Sequence, residues 1–308
     1  MPAIDRWSRR YVATACFFLV VWQFVATPWI NFSRQTWVVL GLYGFVFMVI
    51  FAKTYTLVPS YFSSGTESSI PPAVQYFLSS FGVLLMAFGH GISRRIGIWF
   101  WSLGIAVLVV TLTGTIWREA VSGKTGTSDV NADRRDVDKA SNLFIVITYL
   151  YLITATVSLN IAGITPATTH LFAAGTAALL IYSVGFRLLP RFNAVDSPPS
   201  LAAYVVLTSA AAAPLLLTYS MYHGSYQLLF QLGGFLQGLA AVGFFLVYLW
   251  MWLKSDRSKV GLNTVLVALV FSVAGTLIGV KFAFKGIDGN LVEAHMYLNL
   301  LGFLGLTV

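Results

Sequence analysis

Four imidazoles carry most of the chemistry this sequence could perform: His90, His170, His223 and His295. Imidazole is the commonest protein ligand for transition metals and a standard axial ligand of haem iron. An ionisable group near hydrocarbon is also costly enough to imply a role. Competing ligands are scarce. Cys16 is the only cysteine and lies in an apolar stretch, so it forms no intrachain disulfide and reads as a lipid-facing or packed thiol. No Cys-x-x-Cys-His offers covalent haem attachment. Copper, or non-covalently bound haem, held by two or more histidines is therefore the sharpest chemistry on offer. The bland reading makes each a helix-end histidine hydrogen-bonded at the membrane interface. It suits His90 and His223 better than His170 and His295, which lie in or beside apolar runs.

The elements that must position these residues are apolar helices. The chain has 308 residues, 57% hydrophobic and 10% charged, with a mean hydropathy of +0.79. Soluble domains carry about 25% charged residues. A spanning helix needs about 20 apolar residues. Ten runs approach that length, at 11–30, 36–57, 74–91, 96–117, 142–163, 167–189, 199–220, 227–253, 262–284 and 291–308. They are continuous, not alternating, which excludes a closed β-barrel. Turn signals fall between them at Thr27-Pro28, Pro59-Ser60, Pro71-Pro72, Pro198-Pro199 and Gly286 to Gly289. The expectation is an all-α, polytopic transmembrane bundle forming one domain, 1–308. The N-terminus lacks a small-residue cleavage site, so run one reads as a retained helix. Run ten stops at Val308 with no anchor behind it, as though a longer natural chain continued.

Charge orients the bundle. Arg34, Arg94, Arg95, Lys281 and Lys285 fall on one side, and the other fourteen of the nineteen Lys and Arg fall on the side of the N-terminus. The positive-inside rule then makes the N-terminus cytoplasmic, in a cell membrane. The net charge of +8 reflects this bias and attraction to anionic lipid, with no need for nucleic acid. All four histidines fall in the outer third. His90 ends run three, His223 follows run seven, and His170 and His295 begin runs six and ten. Arg94, Arg95 and Lys281 lie near these ends, as partners for haem propionates or as plain headgroup anchors.

Two segments resemble a known family: Thr169-His170-Leu171 through Gly185-Phe186-Arg187-Leu188-Leu189-Pro190-Arg191-Phe192, and Ala294-His295-Met296-Tyr297-Leu298-Asn299-Leu300-Leu301-Gly302-Phe303. They are similar to the sixth and tenth helices of subunit I of haem-copper oxidases and their reduced relatives, including membrane proteins of the NnrS type. The resemblance implies twelve helices, a cytoplasmic N-terminus and haem in the outer part of the bilayer. The chain departs from the pattern where it matters. Run two has no histidine, Tyr297 stands at the second position of the family's His-x-His, and only His223 is near the copper-binding pair of helix seven. The inventory supports at most one haem, with His295 axial and His170 or His223 opposite. Alternatively, His170 and His223 hold a copper.

Among the other constellations, no Asp or Glu falls mid-membrane, which argues against a proton pump. Glu293, beside His295, could orient that ring or favour a helix N-terminus. Tyr43, Thr54 and Tyr55 on run two read as helix-interface packing. The loop 118–141 holds Asp129, Asn131, Asp133, Asp136 and Asp138. It lacks the Gly and terminal Glu of a calcium loop and reads as a solvated, self-paired segment. The expected function is a membrane haem or haem/copper protein, with a b-type haem, concerned with electrons, oxygen or nitric oxide. Its expected partners are lipids and other membrane or electron-transfer subunits. Catalytic residues are not identified, and whether it is an enzyme stays open. The competing classes are a transporter or channel with histidines lining an outer vestibule, and a cofactor-free structural subunit.

Overall fold

Backbone groups in hydrocarbon find no water, so long apolar runs must close their hydrogen bonds within themselves. The computed structural model, which describes residues 3–27, 32–64, 68–122, 124–224, 226–257 and 260–307, is all-helical among those residues. The elements are α1 (Ala3–Val25), α2 (Arg34–Tyr61), α3 (Ile70–Phe88), α4 (Ile92–Val121), α5 (Arg135–Ala162), α6 (Pro166–Asn193), α7 (Ser200–His223), α8 (Gln227–Lys254), α9 (Val260–Lys285) and α10 (289–307). Eight of them, α2 to α9, are long and apolar enough to cross a membrane.

Several boundaries correct the sequence reading. Pro59 does not end run two but sits in the last turn of α2, and Pro71 and Pro72 open α3, where a missing N–H costs nothing. His223 is the last residue of α7 and does not lie beyond it. His90 lies in the turn after α3, not at its end. Pro28, Lys259 and Val308, which entered the turn, charge and chain-end readings, lie outside the described residues.

The chain forms two compact units, Met1–Gly126 with Ile153–Thr165, and Thr127–Leu152 with Pro166–Val308. In the first, α2 is the central element. Its Tyr43, Phe47 and Phe51 pack on Trp101 of α4 with ring centres 5.2, 5.9 and 5.5 Å away. The Tyr11 hydroxyl donates to the Pro72 carbonyl (3.0 Å), and Thr14 and Tyr76 share a hydrogen bond of 2.7 Å, tying α1 to α3. In the second unit, Tyr182 of α6 lies against Phe244 of α8 (4.7 Å) and Phe303 of α10 (5.6 Å).

Three helices widen to π geometry for about two turns: α2 over Val39–Val46, α6 over Leu171–Ala178 and α10 over Leu298–Leu304. Such stretches are rare and concentrate at functional sites. Here they also admit close packing. A Cβ at Gly41 would lie 2.9 Å from the Trp22 ring, and one at Gly302 would lie 2.7 Å from Phe271. The Thr176 hydroxyl donates to the Leu171 carbonyl five residues back (3.1 Å), supporting the wide turn of α6.

The polar segment before α5 is only partly a solvated loop. Arg135 pairs with Asp129 (3.0 Å), and Lys139 and Asp136 are 3.9 Å apart, as a self-paired surface would have it. Asp138 departs from that expectation. It is 1% exposed, accepts from both terminal nitrogens of Arg191 (2.8 and 3.2 Å) and from the Thr127 hydroxyl (2.5 Å), and so fastens the start of α5 to the end of α6.

Candidate two-histidine site

His170 and His295 come together. His170 lies in the first turns of α6, directly before its π stretch, and His295 lies two residues before the residue that caps the start of the π stretch in α10. Their ring centres are 6.3 Å apart and their planes differ by 17°. Both rings are half-buried.

Each ring is held by its Nδ1. His170 Nδ1 is 2.8 Å from the Pro166 carbonyl one turn back, and His295 Nδ1 is 2.8 Å from the Gly275 carbonyl of α9. A carbonyl only accepts, so in a neutral imidazole Nδ1 carries the hydrogen and Nε2 carries the lone pair. Neither Nε2 has a hydrogen-bond partner among the described residues. Metal-ligating histidines are oriented in this way, one nitrogen fixed by a backbone acceptor and the other presented to the metal.

His295 has the more elaborate seat. A Cβ at Gly279 would lie 2.9 Å from its Cε1, so only glycine lets the ring lie this close to α9. Asn299, one turn on, donates to the His295 carbonyl (2.8 Å) and packs against Gly275. Phe282 covers the ring at 5.8 Å. These supporting residues were not identified from sequence. The readable signal was the Gly-x-x-x-Gly spacing of Gly275 and Gly279, which marks a close helix approach in membranes. The Gly275 carbonyl orients His295 through Nδ1.

His223 of the same unit sits among aromatic rings. The His223 ring lies 4.5 Å from Tyr219 and 6.2 Å from Tyr226. A contact of 3.3 Å between Tyr222 and Thr168 brings the end of α7 beside the start of α6. Even so, among the described residues no three His, Cys, Asp or Glu gather closely enough to hold a metal ion, so the site is a pair. His90, Arg94 and Arg95 belong to the other unit. His90 and Arg95 are exposed, and Arg94 donates to Gln35 (2.9 Å), whose amide donates to the Ile164 carbonyl (3.1 Å).

Lys281 is engaged as well, 3.2 Å from Asp288. Asp288 caps α10 by accepting from the Asn290 N–H (3.1 Å). The Lys281 hydrogen bond, followed by the Asn290 N–H, holds the Asp288 carboxyl below its ordinary pKa. A depressed carboxylate contributes stability above its unfolded pKa and loses it as pH falls through the folded one. Asp288→Asn should therefore lower the melting temperature at neutral pH, with the difference from wild type closing below the ordinary carboxylate range. A gap independent of pH would contradict this cap.

Comparison of the chain with models of known protein families, with curated proteins and with solved structures finds no match.

Proposed function

We propose that this chain is an integral-membrane redox protein that holds one non-covalent b-type haem between Nε2 of His170 and Nε2 of His295. One observation carries the reading: two imidazoles with ring centres 6.3 Å apart, both with Nδ1 tied to a backbone carbonyl. Metal–imidazole bonds of about 2 Å on either side of one ion, plus the reach from ring centre to ring edge, put two ligating rings about 6 Å apart. The two imidazoles would hold the iron, and the haem would supply one-electron chemistry when bound. The chain's own part is to fix both imidazoles in the ligating tautomer and keep them within apolar surroundings.

In this reading α1 and α10 also cross the bilayer, giving ten spans, and the excess of Lys and Arg on the N-terminal side makes that side cytoplasmic. The chain is then a reduced relative of oxidase subunit I, working with lipids and electron-transfer subunits. Copper on the same pair is the second reading. It is favoured by the engagement of Lys281 with Asp288, which occupies one of the cations expected to meet haem propionates.

A pyridine haemochrome spectrum with metal analysis on the purified protein tests both readings. About one haem per chain is expected. Copper without a Soret band selects the second reading, and neither group at stoichiometric level overturns the site.

A further inference from the structure

The first unit carries a separate polar feature in its interior. Gln75 and Ser79 lie one turn apart on the same face of α3, both 0% exposed. Neither the amide nitrogen nor the oxygen of Gln75, nor the hydroxyl of Ser79, has a hydrogen-bond partner among the described residues. Both abut Gly104 of α4, where a Cβ would lie 2.6 Å from Ser79 Oγ and 3.6 Å from Gln75 Cγ. One turn back on α4, Trp101 is also 0% exposed, and its indole nitrogen is without an acceptor. At the start of α3 the Tyr11 and Tyr76 hydroxyls are already bonded, to the Pro72 carbonyl and to Thr14. The unsatisfied groups therefore lie beside satisfied ones.

A buried amide or hydroxyl without a partner is destabilising, more so in a membrane unit with no bulk water to relieve it. The large majority of buried polar side-chain atoms are paired with protein or ordered water. Here two side chains on one face of α3 and an indole on the helix packed against it all fail that rule.

We propose that Gln75 and Ser79 bind ordered water on the face of α3 that meets Gly104 of α4, in the interior of the first unit. The chemistry of the pair selects the ligand. The Gln75 oxygen can only accept, its amide nitrogen can only donate, and the Ser79 hydroxyl does both. A ligand that both accepts and donates matches this mixture, whereas a cation or an anion would leave half of it opposed. Complete burial of both side chains and the close approach at Gly104 call for a ligand of the size of water, which needs two to four polar partners.

X-ray radiolytic labelling of the full chain in liposomes tests the site, because hydroxyl radicals formed from bound water oxidise adjacent side chains. Phe18 is the dry reference, an apolar side chain of the same unit that is 1% exposed and packs on Gly44. With each rate normalised to the intrinsic reactivity of its residue type, Trp101, one turn from Gly104, should be oxidised several-fold faster than Phe18, and the double variant Gln75→Leu with Ser79→Ala should reduce its rate to that of Phe18. Equal rates in the wild type overturn the proposal. Fast labelling that survives the double variant overturns it too. If the double variant does not fold, the wild-type ratio decides.

Discussion

If the pair holds haem as proposed, replacing His295 with alanine should strip it from the purified protein, whereas replacing His170 should leave it bound. The asymmetry follows from the two seats. His295 is fixed from a neighbouring helix, by the Gly275 carbonyl of α9 and the space left at Gly279. His170 is fixed only by a carbonyl of its own helix. Outer-shell partners of this kind change metal affinity by roughly 10- to 100-fold, so the ligand with the better support keeps the group when the other is lost. A haem held by both imidazoles would, in its reduced form, be insensitive to carbon monoxide. His170→Gly should gain a carbon monoxide-shifted Soret band, and added imidazole should suppress it. A spectrum untouched by His295→Ala means that the axial ligand has been misassigned.

Asp138→Ala is the substitution expected to cost most in stability. The carboxylate is 1% exposed and bridges Arg191 and Thr127, with Arg191 also donating to the Arg187 carbonyl. Removing one partner of a buried pair leaves a charge without compensation, at about 3–5 kcal/mol. Because the Arg191 side chain is 29% exposed, the lower end of that range applies. Asp138→Asn keeps the shape and should recover only part of the loss. In a double-mutant cycle read by denaturation in detergent, Asp138→Ala combined with Arg191→Ala should cost well under the sum of the two singles. Additivity would mean that the pair contributes no coupling.

Hydropathy exposed the helices plainly, because continuous apolar runs of membrane length admit few other structures. It also put His170 and His295 near the starts of two helices, and there the two rings meet. Their convergence was not legible, since it depends on how α6, α9 and α10 pack, and one sequence does not encode packing partners as a pattern. Asp138 was misread for a related reason. As one of five polar residues in a charged stretch it resembled its solvated neighbours, and its partner Arg191 is 53 residues away. The π stretch of α2 was invisible because every residue of Val39–Val46 is buried, so no polar face marks the change in winding.

Those wide turns leave a trace outside the structure. An α-helix lengthened by one residue absorbs the extra unit as a π turn, sparing the packing on both sides. Each of Val39–Val46, Leu171–Ala178 and Leu298–Leu304 is therefore a place where this chain is one residue richer than its hydrogen-bond ladder requires. A relative that winds as a plain α-helix there should align with a one-residue gap inside a membrane helix, where gaps are otherwise least tolerated. A gap of that kind at Leu171–Ala178 or Leu298–Leu304 would fall beside His170 or His295.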